Sequence, residues 1–215
     1  MSYNYKYPRP CVTCDAAILR TPSLEYPEIL LIKRGKTPFA GKWALPGGFM
    51  EMEETPLECA TRELQEETGL YDLPLKPLFS CGELNRDPRA RTITFVFGCL
   101  IRDTAHTPIG SDDAADAKWF SLKDLPLLAF DHKRIISQIE QSIIWQAKNS
   151  LIGQDIFHNL ASTKEIQKLY KTFFQDEEDT YIERAIKNGY LEKKDGICEY
   201  INIVPVGPDW HPMPW

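Results

Sequence analysis

Residues 48–70 read GFMEMEETPLECATRELQEETGL, a loop that feeds a well-delimited helix. Thr55 is placed to N-cap that helix, Pro56 suits its first position, and Glu58 completes a capping box three residues after the cap. Gly69 supplies a left-handed stop. Leu57, Ala60 and Leu64 share one arc at helical spacing and form the expected buried face. Glu63, Glu66 and Glu67 fall beside that arc, so three carboxylates crowd onto one side. Arg62 stands four residues from both Glu58 and Glu66 and is able to hold either.

Like charges at this spacing repel by roughly 0.2–0.5 kcal/mol per pair on an open helix. The arrangement destabilises the helix unless a cation sits among the acids. Hard divalent ions, Mg²⁺ above all, prefer carboxylate oxygens and keep positions open for water and phosphate. An isolated ExxEE is better explained as a solvated acidic face. The whole string changes that weighting. Gly48, five residues, Glu54, seven residues, then Arg62-Glu63-Leu64-x-Glu66-Glu67-x-Gly69-Leu70 resembles the signature of the Nudix hydrolases at every fixed position. The resemblance implies an α+β fold, an α/β/α sandwich around a mixed sheet. It also implies Mg²⁺, or Mn²⁺ in its place, held by Glu63, Glu66 and Glu67. A backbone carbonyl near Gly47 or Gly48 often reaches the metal in that family, and Arg62 belongs to the catalytic set.

Outward from this stretch, Cys11–Leu19 and Ile29–Lys33 read as strands joined by the turn-prone TPSLEYPE. Trp43, Ala44 and Leu45 form a short apolar piece, and Pro46-Gly47-Gly48 reads as a breaker bringing backbone close to whatever binds beside the helix. Leu78–Glu83 and Thr92–Ile101 are strands, the second by alternation and β-branched content. Ala117–Phe120 is the last strand of this part, followed by a short helical turn over Ser121–Leu125. Lys33 and Arg34 close the second strand and are candidate phosphate contacts against their commoner role as solvated charges, and Phe49 or Phe39 is a stacking surface.

Arg86, Arg89 and Arg91 lie within RDPRAR, just before the alternating strand. Three arginines so close are ordinarily a solvated turn, but arginine is also the preferred fork for phosphate. The stretch resembles one typical of ADP-ribose pyrophosphatases and of the related Nudix-like transcriptional regulators of NAD metabolism. That subgroup usually has Gly where Ala90 stands, which bears on local loop geometry only. Asp112 and Asp113 offer a general base from outside the helix, against their commoner role as turn formers.

From Asp131 to Lys148 isoleucines recur at helical spacing, giving a connecting helix. Ser162 and Glu165 make a capping box for a following helix. Asp179 caps another, about Thr180 to Lys187, stopped by Gly189. YLEKKDGICEYINIV then reads as a hairpin turning at Asp195-Gly196. Helix, turn, helix, hairpin is the outline of a winged helix. The tail VPVGPDWHPMPW is Pro-rich and irregular. The chain is therefore expected to divide into a Nudix domain over residues 1–140 and a winged-helix-like domain over 141–215.

Composition bounds the function. The 215 residues carry 43% hydrophobic and 26% charged side chains, ordinary for a globular protein. No apolar run is long enough to span a membrane, and MSYNYKYPRP lacks the apolar core of a secretory signal. Six cysteines are scattered. Cys11 and Cys14 form a CxxC without a second pair, three apart on a strand and so on opposite faces. They read as buried thiols in a reducing cytoplasm.

The net charge of −6 opposes whole-protein attraction to nucleic acid. Residues 150–215 hold 7 Lys and Arg against 11 Asp and Glu, and Asp176–Asp179 precede the helix that would read DNA. An enzyme and a repressor share this domain order. The intact box and the acidic second unit favour the enzyme, with a DNA-binding, ADP-ribose-sensing regulator as the alternative. Resemblance implies cleavage of a nucleoside diphosphate linked to another moiety, first ADP-ribose to AMP and ribose 5-phosphate, and a homodimer.

Overall fold

In the computed structural model, residues 5–22, 26–101, 107–109, 114–149, 160–174, 180–187, 189, 191–195 and 197–200 are described. Asp112, Asp113, Asp176–Asp179 and the Pro-rich tail lie outside them, so the expectations placed there are not addressed by the fold. The chain divides into two compact units. One comprises Met1–Arg20, Glu28–Cys99 and Asp103–Ile139; the other takes Thr21–Pro27, Leu100–Arg102 and Glu140–Trp215.

The apolar runs of the first unit pair into one seven-stranded sheet. Its strands are β1 (Cys11–Arg20), β2 (Glu28–Arg34), β3 (Trp43–Ala44), β4 (Gly47–Phe49), β5 (Lys76–Cys81), β6 (Thr92–Ile101) and β7 (Ala114–Ser121). The order is β3-β2-β1-β6-β5, with β4 joined to β1 and β7 to β2. Most neighbours are antiparallel, but Cys11 N–H donates to Arg91 O and Thr13 Oγ1 to Ile93 O. Partners thus advance together along β1 and β6, and the sheet is mixed. β1 is buried from Thr13 to Leu19, on both faces. A strand covered on both sides reads as an unbroken apolar run, which is how CVTCDAAIL looks.

β1 is shared between two partners. Its far end pairs with β2 at Leu19–Ile29 and Arg20–Glu28, while its near end pairs with β4 at Thr13–Phe49, Cys14–Gly48 and Asp15–Gly47. The Pro46-Gly47-Gly48 breaker is therefore corrected in part, because its glycines belong to a strand. An added Cβ at Gly47 would fall on the Cys14 carbonyl oxygen and close to Asp15 Oδ1. Only glycine lets β4 lie this near to β1.

Helix α1 (Pro56–Thr68) forms as its sequence dictates. Thr55 caps it, Glu58 closes the capping box at 2.7 Å to Thr55 N, and Gly69 ends it at φ 72°. The buried face is the expected one at Ala60 and Leu64 but not at Leu57. Cys59, Ala60, Leu64 and Thr68 are buried, whereas Leu57 is 43% exposed. The helix lies against β1 and β4, which turns Leu57 outward and brings Cys59 in. β5 begins and ends two residues earlier than the sequence reading, and Leu122–Asp124 form a turn, not a helix. Helix α2 (His132–Asn149) follows, with Ile135, Ile136 and Ile139 fully buried.

The second unit holds α3 (Thr163–Phe174), α4 (Thr180–Lys187) and strands β8 (Leu160–Ser162), β9 (Leu191–Lys194) and β10 (Ile197–Tyr200). Ser162 and Glu165 make the expected capping box, Gly189 takes φ 72°, and Lys194 pairs with Ile197 across the hairpin. β8 adds to β10 as a third strand, which the sequence reading lacked. No described helix is long and apolar enough to cross a membrane.

Candidate active site

Glu63, Glu66 and Glu67 of α1 meet three different environments. Glu63 and Glu67 are one turn apart on the side of the helix that meets β4. Gly48 lies so close to the Glu63 carboxylate that an added Cβ would strike its oxygens. The Gly47 N–H donates to Glu67 Oε2 at 2.9 Å. Glu66 turns to solvent, its side chain 58% exposed.

Electrostatics follow burial. Removal from water, with the charges of Glu63 and Asp15 nearby, pushes the Glu67 carboxyl up to about 8 against the Gly47 hydrogen bond and Arg34. Burial also raises Glu63, opposed by Arg62. Glu54 goes the other way, held at about 2 by its hydrogen bonds from Arg62 and the Glu51 backbone.

Arg62 organises this face. Its guanidinium donates to Glu54 at 2.7 and 3.0 Å, to Glu63 at 2.8 Å, to Glu66 at 3.2 Å and to the Phe49 carbonyl at 3.2 Å. Glu58 is not among its partners, being spent on the cap. Among the described residues no three acid, thiol or imidazole side chains converge on one point as they stand; Arg62 fills the space between Glu63 and Glu66. The donors themselves are hard carboxylate oxygens beside an open backbone, the chemistry that suits Mg²⁺ or Mn²⁺.

Behind Glu67 sits a buried polar group that sequence reasoning missed. Asp15 is 6% exposed and accepts from Thr94 Oγ1 at 2.6 Å. His132 Nδ1 accepts the Leu45 N–H at 2.9 Å, so the neutral ring carries its proton on Nε2, 3.9 Å from Asp15 Oδ1. Burial lowers the His132 pKa and keeps it neutral. An aspartate inside an apolar strand was the signal available; its distant histidine partner left none.

The arginines of RDPRAR divide. Arg86 is committed: its fork donates to Asp131 at 2.8 and 3.1 Å, and its side chain is only 5% exposed. Arg91 donates to the Glu83 and Thr92 carbonyls. Arg89 is held by Asp87 at 2.7 Å and lies over the rings of Phe49 and Phe130, at 4.7 and 5.3 Å. Arg34 lies over Phe130 too, at 4.7 Å, and its Nε donates to the Pro38 carbonyl. The geometry thus gathers Arg34, Arg89 and Phe49 in one place, with Phe39 packed edge-to-face on Phe130.

Comparison with known proteins identifies the family of the chain. The NUDIX domain model matches residues 14–139. The ADP-ribose pyrophosphatase of Methanocaldococcus jannaschii is 43% identical over 131 residues, 60% of this chain and 73% of that protein. The ADPR responsive transcriptional repressor NtrR of Acinetobacter baylyi is 30% identical over 195 residues, 88% of this chain and 77% of that one. Among solved structures, the NUDIX domain of Shewanella oneidensis NrtR complexed with ADP ribose superimposes with a TM-score of 0.60 at 28% identity. That match covers 66% of this chain and 94% of the other.

Proposed function

This chain belongs to the Nudix family and is a Nudix pyrophosphohydrolase, and from that premise we propose that it hydrolyses ADP-ribose to AMP and ribose 5-phosphate with Mg²⁺. The observation that carries the reading is the pair Glu63 and Glu67, one turn apart and packed against the Gly48 and Gly47 backbone. Glu63, Glu66, Glu67 and the Gly48 carbonyl are the groups proposed to hold the metal. A bound Mg²⁺ supplies charge neutralisation for the diphosphate and an activated water.

The chain's own residues do the rest. Arg62 ties the carboxylate of Glu63 on the helix to that of Glu54 in the loop before it, which fixes the orientation of Glu63. Arg34 and Arg89 bring positive charge to phosphate oxygens, and Phe49 offers a face to a base. Phosphoryl transfer asks for positioning and charge stabilisation more than covalent help, which is what these groups provide. Arg86 and Arg91, tied to Asp131 and to backbone carbonyls, shape the loop that carries Arg89. The test is a hydrolysis screen over nucleoside-diphosphate compounds with Mg²⁺ and with EDTA. ADP-ribose as the preferred, metal-dependent substrate is the expected result, and hydrolysis of none of them sinks the reading.

A second reading rests on the A. baylyi repressor, whose likeness spans 88% of this chain and so extends into the second unit. Under it, α3, α4 and the β9–β10 hairpin form a DNA-binding winged helix that ADP-ribose releases. Titration against the chain's own upstream DNA at about 150 mM salt separates the two. Regulators reach a Kd of about 10⁻⁸ M or tighter there; the enzyme reading expects no such affinity. A cytoplasmic homodimer, with domains over 1–140 and 141–215, completes the proposal.

A further inference from the structure

Phe39 and Phe130 hold backbone conformations that bulky side chains avoid, with φ of 64° and 49°. An L side chain crowds the following carbonyl there. Such outliers persist where the surroundings over-determine them, and they gather at ligand clamps and active sites. The surroundings here are plain. Trp43 N–H donates to Leu127 O and Ala129 N–H to Trp43 O, pinning the loop before Phe130 onto β3. Both rings pack against a core cluster of Ile32, Ala44, Ala117 and Ala129.

What the Phe130 ring carries is less ordinary. The Arg34 and Arg89 guanidiniums both lie on it, at 4.7 and 5.3 Å. Two like charges are thereby held together, and burial and then Arg89 disfavour the charge on Arg34. Each side chain is tethered: Arg34 donates through Nε to Pro38 O and Arg89 donates to Asp87. Among the described residues, the two terminal nitrogens of the Arg34 fork have no hydrogen-bond acceptor, its Nε being the atom bonded to Pro38 O. A preformed pair of repelling forks gains most from an anion that lies across both, because the ordering is already complete before binding.

We propose that Phe130 is a positioning residue for a diphosphate clamp, its ring holding Arg34 and Arg89 side by side for the two phosphates of a nucleoside diphosphate. The proposal rests on the hydrolase reading for the identity of the ligand. Arg34 presents its terminal fork for bidentate hydrogen bonds to phosphate, while Arg89, with Nε and Nη2 on Asp87, adds Nη1; their placement is lost when the platform is lost. Two guanidinium–ring contacts at a partly exposed site are together worth about a tenfold effect.

The experiment is calorimetric titration of the full chain with ADP in EDTA, alongside Mg²⁺-dependent ADP-ribose kinetics. F130L removes the aromatic face and keeps an apolar side chain; F130Y keeps the face. F130M replaces F130L where the latter does not fold. F130L is expected to weaken ADP and raise KM about tenfold with kcat within about twofold, while F130Y stays within about twofold throughout. An F130L chain that binds like the parent, or an F130Y chain that loses as much as F130L, overturns the clamp. So does a parent chain that does not bind ADP without metal. A parent that binds ADP but hydrolyses no nucleoside diphosphate sinks the hydrolase reading and leaves the clamp standing.

Discussion

Arg86→Ala separates a substrate contact from a structural one. The Arg86 fork meets Asp131 at 2.8 and 3.1 Å, with the arginine side chain 5% and the carboxylate 16% exposed. Breaking a fully buried pair costs about 3–5 kcal/mol. Asp131 keeps a second partner, Arg134 at 3.0 Å, and some water, so the stranded charge is partly compensated. The expected loss is therefore about 2–3 kcal/mol. Urea unfolding reads it as a lower midpoint at unchanged slope.

The pH dependence has a definite sign. Burial raises the Asp131 carboxyl, but the hydrogen bonds from Arg86 and Arg134 outweigh it and the group lies below its usual 3.8. A depressed carboxyl contributes stability above its unfolded value and loses it as pH falls through the folded one. The gap between parent and Arg86→Ala is full at neutral pH and closes as pH drops below 3.8. An unchanged urea midpoint together with a tenfold rise in KM would refute the structural assignment and return Arg86 to the substrate.

Further outcomes follow from the helix. Glu67→Gln should abolish most turnover, and in EDTA it should become the more stable protein as pH rises. The Glu67 carboxyl lies near 8 when folded, so the metal-free parent loses stability between about 4.5 and 8 as it ionises; equal pH profiles for the two chains would contradict this. Gly48→Ala should disable catalysis, since its Cβ meets the Glu63 carboxylate; full activity in that variant would show that Glu63 is free to move away. Leu64→Ala should lose about 2–5 kcal/mol, whereas Leu57→Ala should stay within about 0.5 kcal/mol. Chemical denaturation ranks the pair, and equal losses would restore the Leu57 face predicted by periodicity.

What could be read in the chain and what could not divide along a physical line. The Thr55 cap, the Gly69 stop, the bounds of β6 and the Lys194–Ile197 hairpin depend on neighbours in sequence, and each stands where its residue types put it. Leu57 does not, because which arc of α1 is buried depends on where β4 lies, and β4 exists only through its register with Cys14 and Asp15. The same holds for RDPRAR. Asp87 holds Arg89 locally, but Asp131, far along the chain, captures Arg86, and the distant Phe49 lies under Arg89.

The carboxylates give the sharpest case. Glu66 and Glu67 are adjacent and chemically identical, and spacing alone makes them equivalent ligands. Packing parts them: one faces water, while the other is driven against the Gly47 amide with Asp15 behind it and a pKa near 8. Sites that run acid and base chemistry near neutral pH are built by such inequality between like groups. The burial that creates it is a property of the sheet, and above all of the two glycines, Gly47 letting β4 close on β1 and Gly48 letting it close on Glu63 of α1.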